Sequence, residues 1–415
     1  MIVRLLLLCV MLVVPLRSVA QMSMEEYRRA VVEYSHEVRA ASAASVGAHA
    51  ELRYRQREAY PSLSAGGDVA LTFDDVGTAG RWSSQLRADV EQPIFEGGGI
   101  KAAVRSADAE YEAAQYREHS VYLAVKYDAE VAYWRLSRMA IYMSAMSDYR
   151  DIVRALYEVV SWRFSEGYTS RSDLLQVESR LSDAEYMVSQ ATQQWRVALH
   201  DFNVLRGVDP DVEVVLACSI TDSMAMPLRS SVEDVVSMHP DYLASVASCD
   251  AARWGVKLRN ADFMPSVGLD LYGLYAPYMG VSQQGGSRLG GGVALTLRTP
   301  IFHFGQRTAA LTTARSNLRR AELDVESVTD AIVRNESNGW TNLELTHQRV
   351  DAVRRSLDVA RENLDISTYA YQEGIATILD VLQAQISWLQ IYQNSIAAHY
   401  DHAVAISSYK YIIAE

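Results

Sequence analysis

Cysteine is almost missing from this chain, with three in 415 residues. Cys9 lies in an N-terminal apolar run, so a processed chain keeps Cys218 and Cys249. That excludes a disulfide-built scaffold and a metal centre made of cysteines, and leaves open whether these two pair or stay as buried thiols. Proline is scarce at nine, and none occurs between Gly98 and Gly167 or between Gly305 and Gly374. Cations are in deficit, 39 against 51 anions for a net charge of −12, which excludes a nucleic-acid partner held by a basic surface. After the N-terminus no apolar run approaches the 18 or so residues of a membrane-spanning helix. With 49% hydrophobic and 22% charged residues the chain is nevertheless expected to fold.

Residues 1–20 read as a secretory signal peptide: Arg4, an apolar core, Pro15, then Ser18-Val19-Ala20 before Gln21. Cys9 is too early to become an acylated first residue after cleavage, so no lipid anchor is indicated.

An internal duplication sets the organisation. Gln92-Pro93-Ile94-Phe95-Glu96-Gly97-Gly98 returns as Thr299-Pro300-Ile301-Phe302-His303-Phe304-Gly305, 207 residues later. The same spacing joins Glu166-Gly167 to Glu373-Gly374, Asp173 to Asp380 and Leu175-Gln176 to Leu382-Gln383. Upstream, Pro61-Ser62-Leu63 matches Pro265-Ser266-Val267 at a spacing of 204. The expected units are a first repeat at 21–208, a linker at 209–230 and a second repeat at 231–415.

Each repeat reads as a helix, two strands, one very long helix, a Gly turn and a second helix. The strands are expected at about 62–74 and 83–92, then about 266–276 and 289–299. The long helices are expected at about 98–166 and 305–373, the following ones at about 171–206 and 377–412. Without proline, such a long helix would extend about 100 Å. Leu174, Val177, Leu181, Ala184, Val188, Ala191, Trp195, Ala198 and Phe202 step by three and four, as do Leu379, Leu382, Ile386, Leu389, Gln393, Ile396, Tyr400 and Ala403. Val350, Val353, Leu357, Ala360 and Leu364 offer a facing stripe, so each repeat is expected to form a long antiparallel coiled-coil hairpin.

The strands alternate with period two, for example Leu86, Ala88 and Val90 against Gln85, Arg87 and Asp89. A half-buried soluble sheet and a tilted membrane barrel with a wet lumen both give this pattern. Trp82, Tyr60, Tyr275 and Tyr278 are candidate interface aromatics. In lipid, four strands with open edges cannot stand alone, and barrels begin at about 8 strands. Two copies would fill their barrel with side chains, so a pore favours three or more.

These residues resemble the TolC-like outer-membrane efflux proteins (outer membrane factors) of Gram-negative envelopes. The resemblance rests on the duplication, on Tyr60-Pro61-Ser62 and Met264-Pro265-Ser266 opening each strand pair, and on the strand-to-helix junctions Pro93 to Gly98 and Pro300 to Gly305. It rests also on the segment containing Tyr371, Glu373-Gly374, Thr377 and Asp380-Val381-Leu382. It implies a mainly α fold with a membrane β-barrel of 12 strands shared by a homotrimer in outer-membrane lipid, and a periplasmic helical tunnel with an equatorial collar. As partners it implies a periplasmic adaptor and an inner-membrane pump of the RND or ABC type. The implied function is passive export of substrates in efflux or type I secretion. A non-conducting coiled-coil envelope scaffold is the alternative.

At the expected tip, Ser170 with Asp173 and Thr377 with Asp380 have the spacing of capping boxes. The resemblance adds a second role, in which threefold symmetry gathers these carboxylates into an acidic periplasmic gate with Glu166, Glu373, Gly167, Gly374, Tyr371 and Gln383. Such crowding would raise their pKa values and make the mouth sensitive to pH or divalent ions. Gln383 and Ala376 stand where the family pattern suggests a further carboxylate and a basic residue, which implies a simpler gate. No catalytic set at motif spacing is found, and no cofactor or metal is expected. His399 and His402 lie three apart without a zinc motif, and the Gly-Gly-Gly runs at 97–99 and 290–292 lack a following Lys-Ser/Thr.

Overall fold

The computed structural model describes residues 21–72, 81–276 and 288–415. The expected signal peptide, strand residues 73 and 74, Tyr278 and the side chain of Trp82 lie outside the described part.

Among the described residues twelve elements follow in order: α1 Met24–Tyr34, α2 His36–Arg57, β1 Ser62–Thr72, β2 Arg81–Glu96, α3 Gly99–Ser165 and α4 Arg171–Leu205. Then come α5 Val232–Met238, α6 Pro240–Ala261, β3 Ser266–Ala276, β4 Arg288–Arg298, α7 Gln306–Gln372 and α8 Ile378–Ile412. Shifted by 204 residues, the bounds of α2 and β1 become those of α6 and β3, and a shift of 207 carries α3 and α4 onto α7 and α8.

The opening helix expected in each repeat is two helices. Ser35 leaves helical geometry at ψ 125°, ends α1 and caps α2 by accepting from the Val38 amide. His239 plays the matching part before Pro240, because the residue preceding proline is pushed into extended backbone. The expected end of the second strand at 92 also needs correction, since β2 continues through Pro93 to Glu96. A register shift between Pro93 and Phe95 absorbs the proline, which has no amide hydrogen for the ladder.

α3 and α7 each run unbroken for 67 residues, about 100 Å at 1.5 Å per residue. Gly98 and Gly305 start them with φ of 85° and 84°, a conformation that costs glycine nothing. α3 packs on α2 and α4 of its own repeat and on α6 and α8 of the other, while α7 packs on α6 and α8. Along α4, Leu174, Val177, Ala184, Ala191, Ala198 and Phe202 are buried, as a knobs-into-holes seam requires. In α8 the seam departs from the expected heptad, because Leu379 and Ile386 are exposed and Ile378, Val381, Gln385 and Trp388 are buried. α8 meets both α7 and α3, so it buries a broader face than a two-helix seam.

At mid-height the linker is strapped to the helices. Met22 bridges Leu216, and the Tyr133 hydroxyl accepts from the Cys218 amide at 3.0 Å and donates to the Met22 carbonyl at 3.1 Å. Tyr27 stacks on Phe202 with ring centroids 3.8 Å apart. Cys218 is exposed and Cys249 buried, both as free thiols.

The four strands form one antiparallel sheet in the order β1-β2-β3-β4. Leu63, Val69, Leu86, Val293, Leu295 and Leu297 are exposed, and the strands pack chiefly on one another. A half-buried soluble sheet would have set that apolar side against a helix layer. Both β1 and β4 are edges. Among the described residues, no helix is long and apolar enough to cross a membrane.

Candidate functional site: the helical tip

Two turns, related by the duplication, close the end of the molecule remote from the sheet. At the first, the Gly167 amide donates to the Phe164 carbonyl at 3.1 Å and the Tyr168 amide to the Arg163 carbonyl at 2.8 Å. At the second, Gly374 donates to Tyr371 at 3.0 Å and Ile375 to Ala370 at 2.8 Å. This paired bonding ends a helix at a left-handed residue, and Gly167 and Gly374 supply it at φ 79° and 76°. Glu166 and Glu373 are the last residues before these glycines and are exposed.

Each turn leads into a capping box. The Asp173 amide donates to Ser170 Oγ at 3.1 Å, and the Asp173 carboxylate accepts from the Ser170 amide at 3.3 Å and the Thr169 hydroxyl at 2.8 Å. The Asp380 carboxylate accepts from the Thr377 hydroxyl at 2.7 Å and the Thr377 amide at 2.8 Å. Both boxes satisfy amides at a helix start that would otherwise lack partners. The bonds favour the ionised form: the Thr169 hydroxyl first, with Ser170, holds Asp173 below the usual carboxylate range, and the Thr377 hydroxyl and amide do so for Asp380. Within one chain the shift is therefore downward, opposite to the rise expected from carboxylate crowding.

The two turns are tied together by Arg163, which no sequence pattern singles out. Its guanidinium donates to the Tyr371 carbonyl at 3.0 Å and to the Gln372 carbonyl, and lies 4.9 Å from the Tyr371 ring centroid. A cation thus satisfies the last carbonyls of α7 from the neighbouring hairpin. Tyr371 is buried with Leu156, Val160, Val177 and Val381, whereas Gln383 is exposed. Gln383 lies with Leu175, Gln176, Leu379 and Ile386 along an open groove between α4 and α8.

The other sequence candidates lie elsewhere. Pro93 and Gly98, Pro300 and Gly305 mark the two sheet-to-helix junctions at the opposite end. His399 bonds the Ser395 carbonyl, and buried His402 faces Thr346 and His347. The glycines at 290–292 lie within β4. Among the described residues no three His, Cys, Asp or Glu side chains are grouped to hold a metal ion.

The family model described as outer membrane efflux protein matches residues 27–207 and 232–407. The chain is 27% identical over 359 residues to protein CyaE of Bordetella pertussis, covering 84% of this chain and 74% of that protein. It is 23% identical, with the same coverage, to the outer membrane efflux protein BepC of Brucella suis. Among solved structures, CusC matches with a TM-score of 0.85 at 16% identity, covering 95% of this chain and 92% of that one. VceC of Vibrio cholerae matches at 0.81 and 18%, covering 94% and 96%. The chain belongs to the outer membrane efflux protein family. It is an outer-membrane channel of the Gram-negative envelope, with a periplasmic helical extension, of the class that serves efflux and type I secretion.

Proposed function

We propose that three copies of this chain form one passive duct, which receives substrates from an inner-membrane pump through a periplasmic adaptor. The observation that carries this reading is the open sheet. β1 and β4 are unpaired edges of a sheet with exposed apolar side chains, and in lipid every backbone polar group needs a partner. Three four-stranded sheets closing on one another remove all edges and give about 12 strands, wide enough for a lumen.

At the far end the tips form the gate. Asp173 and Asp380, ionised and held at helix starts, repeat around the threefold axis with exposed Glu166 and Glu373 and favour cations at the mouth. Arg163 pins the two hairpins of one chain, while its repeat equivalent is Ala370, so the seam between chains lacks this link. Opening that parts the two hairpins of one chain must break the Arg163 link. The groove with exposed Leu175, Leu379 and Ile386 suits the apolar side of an adaptor helix.

The test is the native mass of the mature protein extracted from outer membranes in mild detergent. A mass three times that of the chain is expected. A monomer would contradict the reading.

A further inference from the structure

Two histidines far apart in sequence meet across the second hairpin. His347 of α7 and His402 of α8 lie with ring centroids 5.2 Å apart and planes tilted by 46°, and no hydrogen bond joins them. The hydroxyl beside them assigns the His402 tautomer. Thr346 Oγ1 directs its one hydrogen at its own helix, to the carbonyls of Asn342 at 2.8 Å and Leu343 at 3.0 Å. Toward His402 Nδ1, 3.4 Å away, it can therefore only accept, which places the proton on Nδ1 and the free lone pair on Nε2.

That is the form a metal ligand takes, a neutral imidazole with one nitrogen oriented by an acceptor and the other open. Burial first, then His347 and His399, favours the neutral ring by lowering the His402 pKa. His347 is exposed and makes no hydrogen bond among the described residues, so both its nitrogens are free and the pair opens to solvent through it.

The spacing fits one ion. Two imidazoles on a tetrahedral centre, with metal–nitrogen bonds of about 2.0–2.1 Å and about 1.1 Å from nitrogen to ring centre, have centroids about 5.2 Å apart. Asp351, one helical turn after His347, adds a negative charge that His402 feels. His399 is held differently, with Nδ1 bonded to the Ser395 carbonyl of its own helix at 2.8 Å.

We infer that His347 and His402 form a binding site for one borderline divalent transition ion, with zinc the best fit, which staples α7 to α8. Imidazole nitrogen suits zinc and copper, whereas magnesium and calcium take oxygen. Water completes the coordination, since no third His, Cys, Asp or Glu among the described residues joins the pair. The ion holds both helices only when they are packed, so it stabilises the folded hairpin. Leu343, one turn before His347, packs with Ala405, Ile406 and Tyr409, and Tyr409 bonds Glu336, so the staple extends the anchorage of the linker. Every ligand comes from one chain, and the site does not depend on the trimer.

Calorimetric titration of the mature protein, carrying no polyhistidine tag, with zinc in excess magnesium tests this, because magnesium occupies the acidic tips. One zinc ion per chain is expected, with a rise in melting temperature. His347→Ala alters an exposed side chain, keeps the fold, and should lose both the ion and the rise; His402→Gln should lose them as well. Thr346→Val keeps the volume but removes the acceptor at Nδ1, and should weaken binding about tenfold. His399→Ala should bind as the parent does. Cupric ion in the same site should show two nitrogen ligands in its electron paramagnetic resonance spectrum. Zinc uptake that is absent from the parent, unchanged in His347→Ala, or lost only in His399→Ala would overturn the site and leave the duct standing.

Discussion

Arg163 of the first hairpin donates to the Tyr371 carbonyl of the second at 3.0 Å and covers the Tyr371 ring. This cation holds the tips of one chain together where α7 ends. A charge-assisted bond that stays partly solvated is worth about 1 kcal/mol, roughly a fivefold change in an equilibrium. Arg163→Ala is therefore expected to shift the mouth toward open by about that factor, read as a higher open probability in single-channel recordings. Arg163→Lys should fall between, and an unchanged recording would remove Arg163 from the gate.

Asp380 is exposed and its hydrogen bonds favour the charged form. A depressed folded pKa gives stability that is present above the unfolded value, about 4, and lost as pH falls through the folded one. The cap and the acidic mouth should thus persist down to about pH 4. Asp380→Ala is expected to weaken block by divalent cations at pH 7, and block that stays at the parent level would sink the acidic-ring proposal. Asp380→Asn, which keeps an acceptor for Thr377, separates lost charge from a lost cap.

His402 supplies a second pH dependence. Burial first, then His347 and His399, lowers its pKa, with Asp351 opposing, while the Thr346 hydroxyl lies 3.4 Å from Nδ1. The unfolded chain binds the proton more readily, so this contribution is complete above about pH 6.5 and declines as pH falls below it. The melting temperature should drop between about pH 7.5 and 5.5. His402→Gln should flatten that slope, and an equal slope in the variant would exclude this histidine as its source.

The linker is pinned by Arg229, which donates through Nε and Nη2 to the fully buried Glu336 carboxylate at 3.1 and 3.2 Å. Tyr409 adds a hydroxyl donor at 3.2 Å, and the Ser230 amide donates to that hydroxyl. Arg229→Ala leaves a buried carboxylate short of its cation and is expected to lower thermal stability more than Glu336→Gln, which keeps an acceptor and removes the charge. Hydrogen exchange across residues 224–231 should rise in Arg229→Ala, and protection equal to the parent would show that the pair does not hold the strap.

The long helices, the Gly turns and the capping boxes were legible because local chemistry decides them. An absence of proline over 69 residues, a left-handed glycine and a Ser/Thr-x-x-Asp spacing each act within one or two turns of chain. The duplication doubled every such signal. Features decided across space escaped. Arg163 has no sequence mark, since Ala370 stands at its repeat position and its partners lie more than two hundred residues away. Leu379 and Ile386 are exposed because the face that α8 turns to α3 and α7 runs through Ile378 and Gln385, one residue earlier than the heptad reading places it. β2 outran its expected end because a bulge lets proline stay in a strand held on one side.

The central claim is that this chain makes a conducting outer-membrane duct, and planar-bilayer recording of the purified oligomer tests it most directly. The account predicts discrete, long-lived conductance steps, with a higher open probability in Arg163→Ala and weaker cation block in Asp380→Ala. A stable trimer in lipid that carries no current, in the parent and in both variants, would contradict it and identify the assembly as an envelope scaffold.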